Sequence, residues 1–375
     1  MSGGTRCNVT NVRVTEQDFC GGSRALVRRV LRQFDVSKTV AFFHEIGVAL
    51  HEEADGKLFP DTGRARDVLE ALLREADACG VERRDQCRVL DIQRNDHGFA
   101  LTVADEAALH ATCVVLATGG QSLPKSGSDG AGFAMARALG HTIVPPVPAL
   151  VPLLLDPASA LAHASMSGVS HPSDIAVWVN GKVQTRVHGS LLWTHFGISG
   201  PAALDVSRHW TRATAAGEDI CLTLNFCPGA SFDDLEQHLI GLFAERPKAS
   251  LHTIVSTLVP STVASALLSA LALNPVAPAG TMVRDDRRRL VHTLTGWTLP
   301  VVGTRGYNYA EVTAGGVALT EVDPGTLESR VHAGLYFVGE VLDVDGRLGG
   351  FNFQWAWSSG YSVASALARL ARGNT

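Results

Sequence analysis

The stretch Cys113-Val114-Val115-Leu116-Ala117-Thr118-Gly119-Gly120 decides the fold class. Five apolar residues in a row, closed by a Gly-rich turn, form the kind of run that is buried on both faces of a parallel sheet. A second run, Gly334-Leu335-Tyr336-Phe337-Val338, ends in Gly339-Glu340 near the other end of the chain. Ligands of open α/β sheets gather at the carboxyl ends of strands, so both turns are candidates for ligand contact.

Outward from these runs the apolar period changes several times. Ser23 is expected to cap a helix carrying Leu26, Val27, Val30, Leu31 and Phe34, and Ser37 a second with Val40, Phe43 and Ile46. A third helix is predicted from about Arg66 to Cys79, and 87–93 and 99–103 alternate as antiparallel strands. Prolines at 145, 146, 148 and 152 mark a crossing into another domain. The pattern is then β-rich to Cys227, helical over 231–296 with Ser231 and Asp234 as a capping box, and strand-like again over 299–312. A helix of small residues over about 351–371 closes the chain. The resulting division is 1–146 and 312–375 as the two parts of one α/β domain. A β-rich insert over 147–228, a helical insert over 229–297 and returning strands over 298–311 lie between them.

Composition narrows the function classes. The 375 residues are 46% hydrophobic and 18% charged, with 32 basic and 37 acidic side chains giving −5. That is too apolar for a disordered chain, and no clustered basic surface predicts nucleic-acid binding. No apolar stretch reaches the roughly 18–20 residues that span a bilayer, and the start has no signal-peptide pattern. Seven cysteines, at 7, 20, 79, 87, 113, 221 and 227, form no CxxC pair. They read as reduced thiols of a cytoplasmic protein, with no metal site. HExxH, GxSxG and Walker A patterns do not occur, which argues against a protease, a serine hydrolase or a P-loop NTPase.

Four Gly-rich segments can carry chemistry, because glycine lets backbone N–H groups approach a phosphate or a ring edge. Ser2–Asn11 reads either as a loop around an anionic or polar cofactor or as a loose terminus. Thr118-Gly119-Gly120, followed by Ser126–Gly132, reads as ligand contact or as a turn and helix packed closely on a sheet. The Glu340 carboxylate would accept hydrogen bonds from sugar hydroxyls or lie exposed. Asp343–Asn352 leads straight into the closing helix, whose N-terminal N–H groups suit an electron-rich group. His195, within His188–Pro201, is the candidate proton donor, since imidazole titrates near neutrality; a histidine satisfied by backbone groups is the other reading. The run Arg284–Arg289 reads as a solvated helix face.

Taken together, SGGTRCNVTN at 2–11, GKLFP at 56–60, ATGG at 117–120 and GSDGAGFAMARALGH at 127–141 carry a resemblance. LLWTHFGISGP at 191–201, VTAGGV at 312–317 and GLYFVGEVLDVDGRLGGFNFQ at 334–354 extend it over the whole chain. The sequence resembles the BaiN/YhiN-like family of FAD-dependent oxidoreductases. The resemblance implies a discontinuous Rossmann-like FAD-binding domain with β-barrel-like and helical insertions. It implies that Gly4, Arg6, Cys7 and Asn8 lie along FAD, with Val89 near the adenine and Thr118 and Gly119 toward the pyrophosphate. Gly339 and Glu340 would meet the ribityl and phosphate region, and Gly350, Phe351 and Asn352 the isoalloxazine. NAD(P)H would be the electron donor, and an unidentified small organic molecule the substrate.

One departure stands out. Members of that family open with a strand, a GxGxxG turn, a helix and a second strand, a unit of about 30 residues. This sequence begins after it, so the expectation is an internal start or a truncated gene, a partly uncovered 113–117 strand and weak or absent FAD binding. Two alternatives accompany the oxidoreductase reading. One is an FAD-free, catalytically silent scaffold, and the other an RNA-modifying flavoprotein.

Overall fold

A computed structural model describes residues 6–373. The chain divides into two compact units, Met1–Pro148 with Glu311–Thr375, and Ala149–Ala310.

In the discontinuous unit the two apolar runs pair with each other. Val114–Leu116 and Leu335–Phe337 are parallel neighbours, with Leu335 opposite Val114 and Phe337 opposite Leu116. Leu335, Tyr336 and Phe337 are fully buried and Val114 and Leu116 nearly so, but Val115 is 39% exposed. The 113–117 run is therefore covered on one face, not both. Val114 and Leu116 point into the core with Phe133 and Phe337, while the face carrying Val115 is only partly covered.

Small antiparallel sheets surround this pair. Val344–Gly346 pairs with Phe19–Gly21, Thr10–Asn11 with Lys57–Pro60, and Val89–Asn95 with Gly98–Val103. Val312–Val317 lies beside Ile143–Ala149, a strand that runs through the proline cluster. The terminal helix Phe351–Gly373 packs on Arg24–Gln33, burying Phe351, Trp355 and Val363 in one cluster with Leu26, Val27 and Val30. Ser23 caps the latter helix through Leu26 N–H. The next helix, Val36–Glu45, is capped by Asp35 and not Ser37. The Asp35 carboxylate, a stronger acceptor two residues earlier, takes both the Lys38 N–H and the Ser37 hydroxyl.

The contiguous unit is built on one seven-stranded antiparallel sheet. Its spatial order is Trp297–Leu299, Ile220–Asn225, Ser170–Val179, Lys182–Thr194, Gly197–Ser199, Leu153–Leu155 and Val301–Thr304. Arg305 N–H donates to Pro152 O at 3.1 Å, so the two ends of this unit lie side by side. Within the region read as β-rich stands a helix, Gly200–Ala215, started by Gly200 at φ +84° and by Pro201 in its first turn. Helices Phe232–Glu245, Ser261–Ala270 and Arg284–Gly296 share one core with the sheet: Leu239, Leu267 and Leu290 pack with Ile175, Trp193 and Leu224. Ser231 and Asp234 form the expected capping box. Among the described residues no helix is long and apolar enough to cross a membrane, and no cluster of acidic, histidine or cysteine side chains could hold a metal ion.

Candidate functional site

The start of the terminal helix gathers three of the four Gly-rich segments. Gly349 and Gly350 have φ +122° and +94°, a region costly for any side chain. A Cβ on Gly350 would lie 2.5 Å from the Thr10 carbonyl and 2.9 Å from Asn8 Oδ1, so only glycine allows this approach. Asn11 Nδ2 donates to Gly349 O at 3.2 Å, and Thr10 Oγ1 to Gln354 Oε1 at 2.6 Å. The Gln354 side chain also receives the Thr39 hydroxyl and donates to Phe34 O and Ser358 Oγ. This buried amide locks the first described strand onto the helix.

One turn along, Trp355 Nε1 donates to Gly339 O at 3.0 Å and Gly339 N–H to Ser359 Oγ at 2.9 Å, pinning the Gly339-Glu340 turn. Glu340 Oε1 accepts the Thr313 N–H at 2.8 Å. Thr313 Oγ1 in turn accepts the N–H groups of Gln121 and Ser122. A Cβ on Gly120 would overlap both Thr313 Oγ1 and Glu340 Oε1. Three strand ends thus meet: 117–120, 312–317 and 338–340. Glu340 is neither exposed nor free to hold a sugar by both oxygens. Burial pushes its carboxyl above the ordinary range, against the lowering effect of the Thr313 N–H.

The remaining predicted residues fall into distinct environments. Gly4 lies outside the described residues. The Arg6 guanidinium sits 4.2 Å over the Phe59 ring and pairs with Glu53, whose carboxyl it holds below the usual range. The Cys7 side chain is buried among Val9, Phe43, Val48 and Val68. Asn8 Oδ1 is buried and accepts no hydrogen bond from the described residues. Phe351 is fully buried, edge-on to Phe19. Asn352 is committed at both ends to Gly346, accepting from its N–H at 2.8 Å and donating to its carbonyl at 2.9 Å. Phe351 and Asn352 therefore offer a ligand their backbone N–H groups, not their side chains.

Thr118 and Gly119 join the cluster through Gly120, yet Thr118 Oγ1 is also packed against Gly132, where a Cβ would overlap it. The Gly/Ala helix Ala131–Ala138 thus uses its glycine for close packing. Val89 starts its hairpin beside the Arg88–Asp129 ion pair, 2.7 Å long, at the 127–130 turn. His195 is exposed at the turn between Thr194 and Gly197 in the contiguous unit, with Phe196 edge-on at 5.1 Å. The run Arg284–Arg289 is only partly solvated, since Arg287 and Arg288 both reach Glu236.

Residue-by-residue reading did not single out Thr313, Gln354, Trp355 or Ser359 as organisers of the site. Thr313 lies inside the quoted VTAGGV, and Gln354 follows Gly350 by four residues, one helical turn.

The model of the HI0933-like protein Rossmann domain matches residues 1–366, and the chain belongs to that family. It is 35% identical over 369 residues to the ribosomal RNA dihydrouridine synthase of Escherichia coli (strain K12), covering 98% of this chain and 88% of that protein. It is 32% identical over 367 residues to the 3-dehydro-bile acid delta(4,6)-reductase of Clostridium scindens (strain ATCC 35704 / DSM 5676 / VPI 13733 / 19), again 98% and 88%. A ribosomal RNA dihydrouridine synthase of Haemophilus influenzae (strain ATCC 51907 / DSM 11121 / KW20 / Rd) is 33% identical over 373 residues, 98% of this chain and 89% of that one. The family is one of oxidoreductases with a mixed α/β, Rossmann-like fold.

Proposed function

We propose that the chain is an FAD-dependent reductase that saturates a carbon–carbon double bond, with NAD(P)H as the electron source. The observation that carries this reading is the cradle at the head of the terminal helix. There, Gly350 approaches the Thr10 backbone closer than any Cβ permits, beside the unpaired acceptor Asn8 Oδ1. A flavin suits such a place, since its ring N–H and ribityl hydroxyls are donors for a buried carbonyl oxygen. The backbone N–H groups of Phe351 and Asn352 and the partial positive charge of a long helix favour the electron-rich pyrimidine edge. Gly339 would approach the ribityl chain, and Thr118 and Gly119 the pyrophosphate. Arg6 and Val89 would reach the outer parts of the cofactor, with Cys7 contributing backbone only. FAD, when bound, supplies a two-electron carrier able to pass a hydride equivalent. This chain's residues hold and orient it: Gln354 and Trp355 fix the helix, and Thr313 with Glu340 fixes the three strand ends.

The relatives' names support the reaction class. A dihydrouridine synthase adds two hydrogens across a uracil double bond, and a delta(4,6)-reductase reduces double bonds in a steroid frame. Both names describe saturation of carbon–carbon double bonds, each double bond taking up one hydride and one proton. The acidic charge balance weighs against an RNA substrate, yet two of the three relatives named above are ribosomal RNA dihydrouridine synthases.

The test is the visible spectrum of the purified protein, before and after incubation with FAD and gel filtration. A two-banded flavin spectrum that bleaches anaerobically with NADPH or NADH is the expected result, against the weak or absent FAD binding expected from the sequence alone. Protein that stays colourless after incubation overturns the reading in favour of a silent scaffold.

A further inference from the structure

Several arginines and one lysine of the described residues lie over aromatic rings, and all but one also have a polar partner. Arg6 pairs with Glu53, Arg288 with Glu236 and Arg347 with Asp18, while Arg94 and Lys38 donate to backbone carbonyls. Arg305 differs. Its Cζ lies 3.4 Å from the Tyr309 ring centroid and 4.6 Å from that of Phe196, and its guanidinium has no acceptor among the described residues. Stacking occupies the faces of a guanidinium but leaves its five in-plane N–H donors unused. Tyr309, with the guanidinium over its ring, is still 51% exposed, and Asn308 beside it and His195 next to Phe196 are exposed too. All of these groups belong to the contiguous unit.

We infer that Arg305, Tyr309 and Phe196 form a recognition site for one nucleotide of single-stranded RNA. The guanidinium edge takes the phosphate, for which its forked donors are suited. The open part of the Tyr309 ring takes the base, a stacking available only to a base that is unpaired. The combination of an unused donor fork and an open ring is what distinguishes this from a plain anion site. As a statement about substrate it rests on the reductase reading above, but the site itself does not.

A single phosphate contact also fits the chain's acidic balance. Affinity here comes from stacking more than from a charged track, so its salt dependence is shallow, with a logarithmic slope near −0.7 per phosphate.

The experiment is fluorescence anisotropy of a labelled uridine-rich single-stranded oligoribonucleotide with the holoprotein, at two salt concentrations, beside the same strand in a duplex. The single strand is expected to bind more tightly than the duplex. Arg305→Ala and Tyr309→Ala are each expected to weaken binding about tenfold with the flavin spectrum unchanged. Arg305→Lys, which keeps the charge but not the stacked fork, should recover only part of the loss. Wild-type protein that does not bind, or variants that bind like wild type, would overturn the site. So would a loss seen only with a carboxylated steroid titrated in parallel, which would assign the guanidinium to a carboxylate. If Arg305→Ala fails to fold by circular dichroism, the half-exposed Tyr309→Ala carries the same comparison. Flavin-free protein that binds RNA through these residues defeats the reductase reading and leaves the site standing; flavin-loaded protein that ignores RNA does the reverse.

Discussion

The two units solve the same problem of holding distant segments together by different means. The contiguous unit runs one seven-stranded ladder and fills its interior with apolar side chains such as Trp193, Leu224 and Leu267. The discontinuous unit has only short ladders and ties them with buried polar side chains: Thr10, Thr39, Gln354, Ser358 and Ser359 are all fully buried and bonded. Apolar packing is tolerant of partners, whereas a polar network is worth having only when every member is satisfied. The first unit is therefore a scaffold, and the second an arrangement whose geometry matters at the level of single hydrogen bonds.

The largest expected effect lies on the scaffold side. Trp193→Ala removes a fully buried ring stacked on Phe226 and bonded to His171, and should cost about 3–5 kcal/mol. Urea unfolding would show it, with the flavin content of the folded fraction unchanged; joint loss of flavin would mean that the two units are not independent. Gly350→Val inverts that pattern. Strain at positive φ costs about 1–3 kcal/mol, and the overlap with Thr10 should abolish flavin retention, read from the absorbance after gel filtration. Gln354→Leu comes next. It strands the Thr10 hydroxyl and takes one partner each from the Thr39 hydroxyl, which keeps Asp35 O, and the Phe34 carbonyl, which keeps the Ser358 hydroxyl; the cost is about 1–3 kcal/mol, and flavin should loosen without being expelled.

The smallest effect is the response to acid. His141, between Glu321 and Ser329, and His171, which accepts the Trp193 indole N–H, are both buried and hold their imidazoles below the ordinary value of 6.5. Their unfolded forms therefore take up protons first as pH falls. Their contribution to stability is complete above pH 6.5 and is lost as pH falls through the depressed folded values, at no more than about 1.4 kcal/mol per pH unit for each. Burial dominates at both, opposed at His141 by the Glu321 carboxylate and at His171 by the Pro172 carbonyl. Urea midpoints followed from pH 7.5 downward should therefore flatten with His171→Gln and with His141→Gln alike.

Much of this contrast was legible in the sequence. The paired runs at 113–117 and 334–338 announced the parallel strands, and Ser23, Ser231 and Asp234 announced their helices, because these signals are local. The Gly200–Ala215 helix was not legible, since Gly200 and Pro201 read as loop residues although one sets a left-handed turn and the other begins a helix. Val115 looked like its neighbours, and only the alternation of the strand leaves it exposed. The motif glycines were visible, but what they fit against was not. Asn8 meets Gly350, and Thr313 meets Gly120, only after the chain ends come together. Nor does spacing reveal that Phe351 and Asn352 spend their side chains on the protein itself.

That closure bears on the order in which the molecule is made. The bond from Thr10 to Gln354 spans 344 positions, so the cradle at the head of the terminal helix cannot form until the last part of the chain has left the ribosome. The contiguous unit has no such wait. Once folded, it sets Pro152 and Arg305 side by side and converts a very long loop into a short splice, so most of the loop-closure entropy has been met before the terminal helix docks. A chain stalled once residue 310 has cleared the ribosome, but before the terminal helix has, should thus yield a folded module attached to an unfinished one, and limited proteolysis of it should recover the 149–310 fragment intact.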